Sequence, residues 1–327
     1  MKKINWQKKV SLPLSLMILA LLALIVLSGT TIYTYFLNNK EINQEKKEVH
    51  QSGYKYISPL LECADFEYKN REDLEENISE LIDEEIKKGD VNFISLYFRD
   101  LNNGPWIGIN EKETFTPASL LKVPLMIAYL KIAEKDPSIL EKKILTENNQ
   151  NLLSQNIIPL RTVEAGKEYK VEELMEYMII YSDNLAADAL LRHIDLESLN
   201  NTYSDLGISA PDGKKVDDFM SVRDYSSFFR ILYNASYLNH EMSEKALKIL
   251  TKSQFVQGLT AGVPAQVEIA HKFGERISGD KKQLHDCGII YKENSPYLLC
   301  IMTRGQDFNK MGEVIRDISA LVYKEFK

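Results

Sequence analysis

The stretch "FTPASLLKVPLMIAYL", residues 115–130, joins a short polar opening to a strongly apolar run. Ser119 and Lys122 stand three residues apart in it, and residues at this spacing share one face of a helix. A lysine among apolar neighbours loses part of its preference for the charged form, so its amine can accept a proton near neutral pH. A serine hydroxyl needs such a base before it can attack a carbonyl carbon. The stretch therefore predicts a nucleophile and its base at the start of a buried helix.

The Ser-x-x-Lys pattern alone is weak, because an ordinary helix start also produces it. It occurs three times in this chain, at Ser52/Lys55, Ser119/Lys122 and Ser278/Lys281. The first pair lies in a polar segment and the last in the polar turn "RISGDKKQ". Only the middle pair opens an apolar helix in which the lysine can lose its water.

Two further motifs follow in order along the chain. Ser182 and Asn184 belong to "YSDN", which also fits a helix N-cap with an aspartate in its first turn. Lys272 and Gly274 belong to "AHKFGE", which also fits an edge strand with a bulge. Each structural interpretation is sufficient for its own motif. Together with Ser119 and Lys122, the ordered set favours a catalytic site.

The rest of the body predicts an α+β fold. A helical period covers residues 71–88, and two strands at 91–99 and 106–109 flank an Asn-Asn-Gly turn. Residues 117–255 carry mostly helical patterns, and strand patterns return at 267–275, 284–293 and 297–305 before a helix at 311–326. Short turns between strands predict an antiparallel sheet flanked by helices. The helical block would form a second lobe, with a ligand cleft between the lobes.

The first forty residues predict a membrane anchor. Lysines in residues 1–9 precede an uncharged run over residues 10–37, long enough to span a bilayer. Basic residues before the run place the N-terminus in the cytoplasm. The absence of a small-residue cleavage site favours a retained anchor over a cleaved signal peptide. A polar stalk at 38–53 would hold the body, 54–327, outside the cell membrane.

Composition excludes several classes of function. Lysine and arginine total 40 against 47 acidic residues, a net charge of −7 that disfavours nucleic acid. Three cysteines, Cys63, Cys287 and Cys300, are too few for a disulfide framework, and isolated histidines disfavour a zinc site. Cys287 and Cys300 lie in strand-like runs and are interpreted as buried small apolar residues. We expect no metal or cofactor.

The three motifs resemble those of the penicillin-recognising serine hydrolases, and most closely the class A β-lactamase family. The resemblance covers residues 54–327 and implies that Ser119 is acylated with Lys122 as its base. It also implies that Ser182 passes protons to the leaving nitrogen, that Asn184 binds the amide side chain of the substrate, and that Lys272 supplies positive charge. The backbone N–H groups of Ser119 and Glu275, which follows Gly274, would form the oxyanion hole.

Two features depart from the family pattern. Phe273 stands where the family has threonine, so a hydroxyl donor to the substrate carboxylate is missing; Arg276 or Arg304 could replace it. The loop glutamate that activates the deacylating water is also missing. "LESLN" at 196–200 fits a surface helix, and Asp217 and Asp218, in a shortened loop, fit a solvated turn. We therefore expect slow deacylation.

The leading hypothesis is a monomeric serine hydrolase that opens β-lactam amides. A D-Ala-D-Ala carboxypeptidase acting on peptidoglycan stem peptides would use the same motifs. A non-catalytic module that binds a wall fragment or an antibiotic is the third alternative.

Overall fold

The computed structural model describes residues 24, 26–30, 49–62, 72–102, 104–149, 152, 155–211, 217–278 and 281–326. Contacts divide the chain into two units, Met1–Lys46 and Lys47–Lys327. In the first unit, residues 24 and 26–30 are helical. None of the helices in the described ranges is both long and apolar enough to cross a membrane. Most of the predicted anchor at 10–37 lies outside these ranges.

The second unit has the predicted α+β fold, with a five-stranded antiparallel sheet in the order β4–β3–β11–β10–β9. Its described strands are β1 (Val49–His50), β2 (Leu60–Glu62), β3 (Phe93–Asp100), β4 (Trp106–Ile109), β5 (Thr114–Phe115), β6 (Lys143–Leu145), β7 (Glu168–Lys170), β8 (Met220–Ser221), β9 (Ile269–Ser278), β10 (Lys281–Ile290) and β11 (Tyr297–Gly305). The described helices are α1 (Glu72–Lys88), α2 (Lys122–Ala133), α3 (Val171–Ile180), α4 (Asn184–His193), α5 (Leu196–Ser204), α6 (Val222–Tyr233), α7 (His240–Leu250) and α8 (Phe308–Glu325).

Successive side chains along the central strands point to opposite faces of the sheet. They form two hydrophobic cores, one on each face. On β11, Leu298, Cys300 and Met302 join the core shared with the helical block, α2 to α7. Leu299 and Ile301 face the other way and join the core shared with α1 and α8. This arrangement confirms the predicted antiparallel sheet flanked by helices, with α1 and α8 on one face. On the other face lie α2 to α7, and the segment that carries them also contains the short strands β6 to β8, whereas the sequence predicted an all-helical lobe.

Helix boundaries follow local chemistry. Glu72 and Asp73 lie in the first turn of α1 and Lys87 and Lys88 in its last turn, so both ends complement the helix dipole. Gly89 then takes φ +81°, a left-handed conformation that ends the helix at low cost. The predicted surface helix over "LESLN" is α5.

The two cysteines in β10 and β11 correct one expectation. Cys287 and Cys300 are directly opposite in the antiparallel register and form a disulfide across 13 positions of sequence. Both are fully buried, as expected of small apolar residues, but they are covalently paired. On its other side Cys287 is the register partner of Lys272 in β9. The disulfide therefore joins β11 to β10, the strand that pairs with the Lys272 strand β9.

The N-terminal edge of the body begins before residue 54. Strand β1 pairs with β2, so the described end of the predicted stalk belongs to a small hairpin. The carboxylate of Glu244 in α7 accepts hydrogen bonds from the backbone N–H groups of Lys55, Tyr56 and Ile57. These bonds dock residues 55–57 on the body.

Candidate active site

Ser119 lies in a 3₁₀ turn, Ala118–Leu121, that runs directly into α2. Ala118 has φ +50°, a left-handed conformation that is unfavourable for alanine. The Ser119 side chain is partly exposed, and within the described part of the chain Oγ makes no hydrogen bond. A hydroxyl without a structural partner is available to a ligand.

Lys122, the first residue of α2, is buried among apolar neighbours, as the sequence predicts. Its Nζ donates to Ser182 O at 2.7 Å, to Ser182 Oγ at 3.2 Å and to Asn184 Oδ1 at 2.7 Å. No bond to Ser119 Oγ is formed. Burial lowers the pKa of Lys122 to about 7, against the opposing charges of Asp183 and Glu275. A substantial fraction of this amine is therefore neutral at physiological pH.

Ser182 lies in the three-residue connection between α3 and α4, also with a left-handed φ of +58°. The next residue, Asp183, fixes this connection. One carboxylate oxygen of Asp183 caps α4 through Leu185 N at 2.8 Å, and the other accepts from Val163 N at 2.7 Å. The N-cap of α4 is therefore Asp183, whereas the structural interpretation of the motif placed the serine there with the aspartate in the first turn. The bonds of Asp183 hold Ser182 in position.

Lys272 extends from β9 to the same serine. Its Nζ donates to Ser182 Oγ at 2.9 Å and to Phe273 O at 2.9 Å. The side chain is fully buried. Burial, followed by repulsion from Lys122, lowers the pKa of Lys272 well below its ordinary value. The structure thus brings Lys122, Ser182, Asn184 and Lys272 together.

Gly274 lies against the 3₁₀ turn that carries Ser119. A Cβ atom at this position would stand 2.6 Å from Pro117 O, closer than real contacts allow, and 3.0 Å from Leu120 Cγ, which is tight. The glycine therefore lets β9 approach the backbone that carries Ser119. The oxyanion role of the Ser119 and Glu275 N–H groups stays a prediction.

The Phe273 ring belongs to the core on the far face of the sheet. It stacks on Phe255 with ring centres 4.2 Å apart, and Lys272 Nζ lies 4.2 Å from its centre. Of the two arginines considered as replacements for the missing hydroxyl, Arg304 already bonds Glu113 and Thr114 O. Arg276 keeps a buried Nε without a hydrogen-bond partner among the described residues.

Asp218 supports the segment that precedes Ser119. Its Oδ1 accepts from Gln283 Nε2 at 2.8 Å and from Thr116 Oγ1 at 3.1 Å. Although burial opposes the shift, these hydrogen bonds lower the pKa of Asp218. Asp217 is exposed. Asp218 therefore holds structure in place, whereas the sequence suggested a solvated turn.

Three residues that the sequence did not single out also meet the site. Gln155 Nε2 donates to Ser182 O at 2.9 Å. Asn156 N and Ile157 N donate to Glu275 Oε1 at 2.6 and 3.1 Å. Their segment has no hydrophobic periodicity, and Glu275 is more than 100 residues away, so no local signal indicates these contacts.

A family model described as the beta-lactamase enzyme family matches residues 73–326. The chain belongs to the beta-lactamase enzyme family. No curated protein matches the chain significantly. This family membership makes the chain a hydrolase.

Solved structures share the fold of this beta-lactamase family member. PBP-A is 23% identical with a TM-score of 0.66, over 80% of this chain and 99% of that chain. A beta-lactamase from Chitinophaga pinensis is 21% identical with a TM-score of 0.66, over 76% and 98%. The TLA-3 extended-spectrum beta-lactamase is 18% identical with a TM-score of 0.67, over 78% and 98%. At these identities the likeness concerns the fold.

Proposed function

We propose that this protein opens β-lactam amides through an acyl-enzyme formed on Ser119, with Lys122, Ser182 and Lys272 as its proton-handling groups. The observation that carries the proposal is the convergence of two buried amines on Ser182 Oγ, at 3.2 and 2.9 Å. A hydroxyl oxygen accepts two hydrogen bonds and donates one. With both acceptor positions engaged by amines, the Ser182 hydrogen is left to donate to a substrate.

Acylation then follows from the chemistry of these groups. Neutral Lys122 takes the Ser119 hydroxyl proton while Oγ bonds to the carbonyl carbon, and the carbonyl electron pair moves onto oxygen. Collapse of this intermediate breaks the C–N bond. The nitrogen takes the Ser182 proton, which a neighbouring ammonium group replaces. Asn184 would hold the amide side chain of the substrate, and the Ser119 and Glu275 N–H groups would face the oxyanion.

The direct test is covalent labelling of the purified body, residues 49–327, by a fluorescent penicillin. We expect an adduct on the peptide containing Ser119, and none in Ser119→Ala. Ser138→Ala, which alters an exposed serine beyond α2, is the matched control and should label normally. Failure of the wild-type body to react with any β-lactam would overturn the proposal.

Deacylation is proposed to be slow, because Asp218 is engaged by Gln283 and Thr116 and the sequence offers no loop glutamate. The adduct should persist for minutes or longer after free penicillin is removed, as followed by intact-protein mass spectrometry. Rapid steady-state turnover of nitrocefin would contradict this expectation. The carboxypeptidase and binding-module alternatives gain no support from the family match.

Membrane attachment through residues 10–37, with a monomeric body outside the cell membrane, is part of the same proposal. The Cys287–Cys300 disulfide supports an extracytoplasmic body, because disulfides persist in oxidising compartments. The full chain should remain in carbonate-washed membranes, whereas a chain lacking residues 1–37 should be released. Recovery of the full chain in the soluble fraction would contradict the anchor. Light scattering of the released body tests the monomer.

A further inference from the structure

The side-chain carboxylate of Glu275 makes hydrogen bonds of its own, separate from any made by the Glu275 backbone N–H. Oε1 accepts hydrogen bonds from the backbone N–H groups of Asn156, at 2.6 Å, and Ile157, at 3.1 Å. Oε2 accepts from Asn156 Nδ2 at 2.7 Å. Hydrogen bonds to a carboxylate are stronger than neutral ones. One carboxylate therefore holds the short segment 155–157 against the edge strand β9.

The same segment is fixed at two other places. Gln155 Nε2 donates to the carbonyl of Ser182, which also accepts from Lys122 Nζ. Ile157 packs against the core that contains Phe255 and Phe273. The segment thus links the Ser182 connection to β9.

These attachments make a second bridge between the two elements that carry the proton-handling groups. Lys272 Nζ joins β9 to Ser182 Oγ directly, and residues 155–157 join Ser182 O to Glu275. A substrate lying between β9 and the Ser182 connection has to fit beside this bridge. Asn184, proposed to bind the amide side chain of the substrate, follows Ser182 by two residues. Lys122 Nζ donates both to Ser182 O, which Gln155 also bonds, and to Asn184 Oδ1. An amide held by Asn184 would therefore place the acyl side chain of a β-lactam beside the bridge.

We propose that Glu275 is a specificity-determining residue that, through the bridge 155–157, excludes β-lactams with large acyl side chains. This inference rests on the proposed acylation of Ser119. It assigns to the Glu275 carboxylate a role separate from that of the Glu275 backbone N–H. Phe273 fits the same arrangement, because its ring lies in the core on which Ile157 packs.

Two variants separate the hydrogen bonds of Glu275 from its charge. Glu275→Gln keeps an oxygen that can accept from Asn156 N and Ile157 N, whereas Glu275→Ala removes every acceptor. Gln155→Ala breaks the other end of the bridge without altering β9. Glu268→Ala is the matched control, because Glu268 precedes β9 and bonds Lys55 and Tyr56 instead.

The experiment compares second-order acylation rates for 6-aminopenicillanic acid, which has no acyl side chain, and a cephalosporin with a large branched one. We expect the ratio of the two rates to fall at least tenfold in Glu275→Ala and Gln155→Ala. The ratio should stay within about threefold of wild type in Glu275→Gln and be unchanged in Glu268→Ala. An unchanged ratio in both bridge variants, or an equal loss for both substrates, would overturn the inference.

Amide hydrogen exchange supplies a readout that does not need catalysis. The N–H groups of Asn156 and Ile157 should exchange at least tenfold faster in Glu275→Ala than in wild type; equal exchange would also overturn the inference. If the wild-type protein labels with β-lactams but the ratio does not move, only the role of Glu275 fails. If it labels with none, the proposed acylation fails and the specificity role fails with it.

Discussion

Lys122 and Lys272 donate to the same oxygen, Ser182 Oγ, from opposite elements of the body, α2 and β9. Two ammonium groups this close in a buried site repel each other, so the pair favours a state in which one amine is neutral. Burial, and after it repulsion from Lys122, lowers the pKa of Lys272. In the proposed acylation, this arrangement couples a base for Ser119 to a proton source for the leaving nitrogen.

The acylation rate should depend on pH through Lys122. Because burial lowers the pKa of this amine to about 7, the neutral form predominates above that pH. The rate should rise about tenfold per pH unit below 7 and level off above it, as measured by quenched labelling between pH 5 and 9. Lys122→Ala should lower the plateau by about 10²–10⁴-fold.

Lys131→Ala is the control for this experiment. Lys131 also lies in α2 but bonds Tyr237 O and Glu134 away from the site. Its variant should keep the wild-type pH profile. A flat profile in the wild-type protein would contradict the assignment of Lys122 as the base.

Replacing Lys272 by methionine should separate stability from activity. Methionine fills the same space without a buried amine, so the cost of removing that amine from water disappears and we expect no loss of stability. Labelling should be lost, while urea unfolding shows equal or greater stability. A marked loss of stability in Lys272→Met would contradict this prediction.

The lowered pKa values of Lys122 and Lys272 should also make the free energy of unfolding depend on pH. Both lysines have lowered pKa values in the folded protein, so the unfolded chain binds more protons between the folded values and 10.5. The free energy of unfolding should therefore rise with pH across that window. The slope should be smaller in Lys272→Met, as measured by urea unfolding at several pH values.

Gly274→Ala should disable the site without unfolding the body. The added Cβ would meet Pro117 O at 2.6 Å, so β9 must move away from the turn that carries Ser119. Losing one oxyanion donor costs about 10²–10³-fold in rate, and we expect a loss of that size in acylation. Gly312→Ala is the control, because its nearest contact would be an ordinary 3.5 Å. Wild-type labelling by Gly274→Ala would contradict the close approach.

The disulfide should contribute to stability. Cross-linking a loop of about this length stabilises a protein by about 3 kcal/mol in the chain-entropy model. Replacing both Cys287 and Cys300 by alanine, or adding dithiothreitol, should lower the free energy of unfolding by roughly that amount. Dithiothreitol should have no further effect on the double variant, in which Cys63 is the one remaining cysteine; a free energy of unfolding unchanged by either treatment would contradict the prediction.

Periodic and local signals in the sequence predicted the sheet, the helical block and the site motifs. Lys122 is recognisable because its neighbours in α2 are apolar, and the Asn-Asn-Gly turn identifies the β3–β4 hairpin. The order of the motifs along the chain was sufficient to predict that Ser182 and Lys272 belong to the same site. Such features are visible because a few adjacent residues determine them.

The sequence could not predict features that depend on register or on distant segments. The pairing of Cys287 with Cys300 needs the exact alignment of β10 and β11. The bonds from Asn156 and Ile157 to Glu275 join an aperiodic segment to an edge strand. Lys122 was expected to bond Ser119, but its Nζ lies with Ser182 and Asn184, whose positions the spacing within α2 does not determine.

The left-handed conformation of Ala118 has a consequence for behaviour on heating. Such a conformation persists only while neighbouring segments hold it in place. Here β9 packs against the turn that contains Ala118. If warming loosens β9 first, the turn can relax and rotate the nucleophile out of alignment. Thermal inactivation would then precede global melting, and cooling would restore a working enzyme.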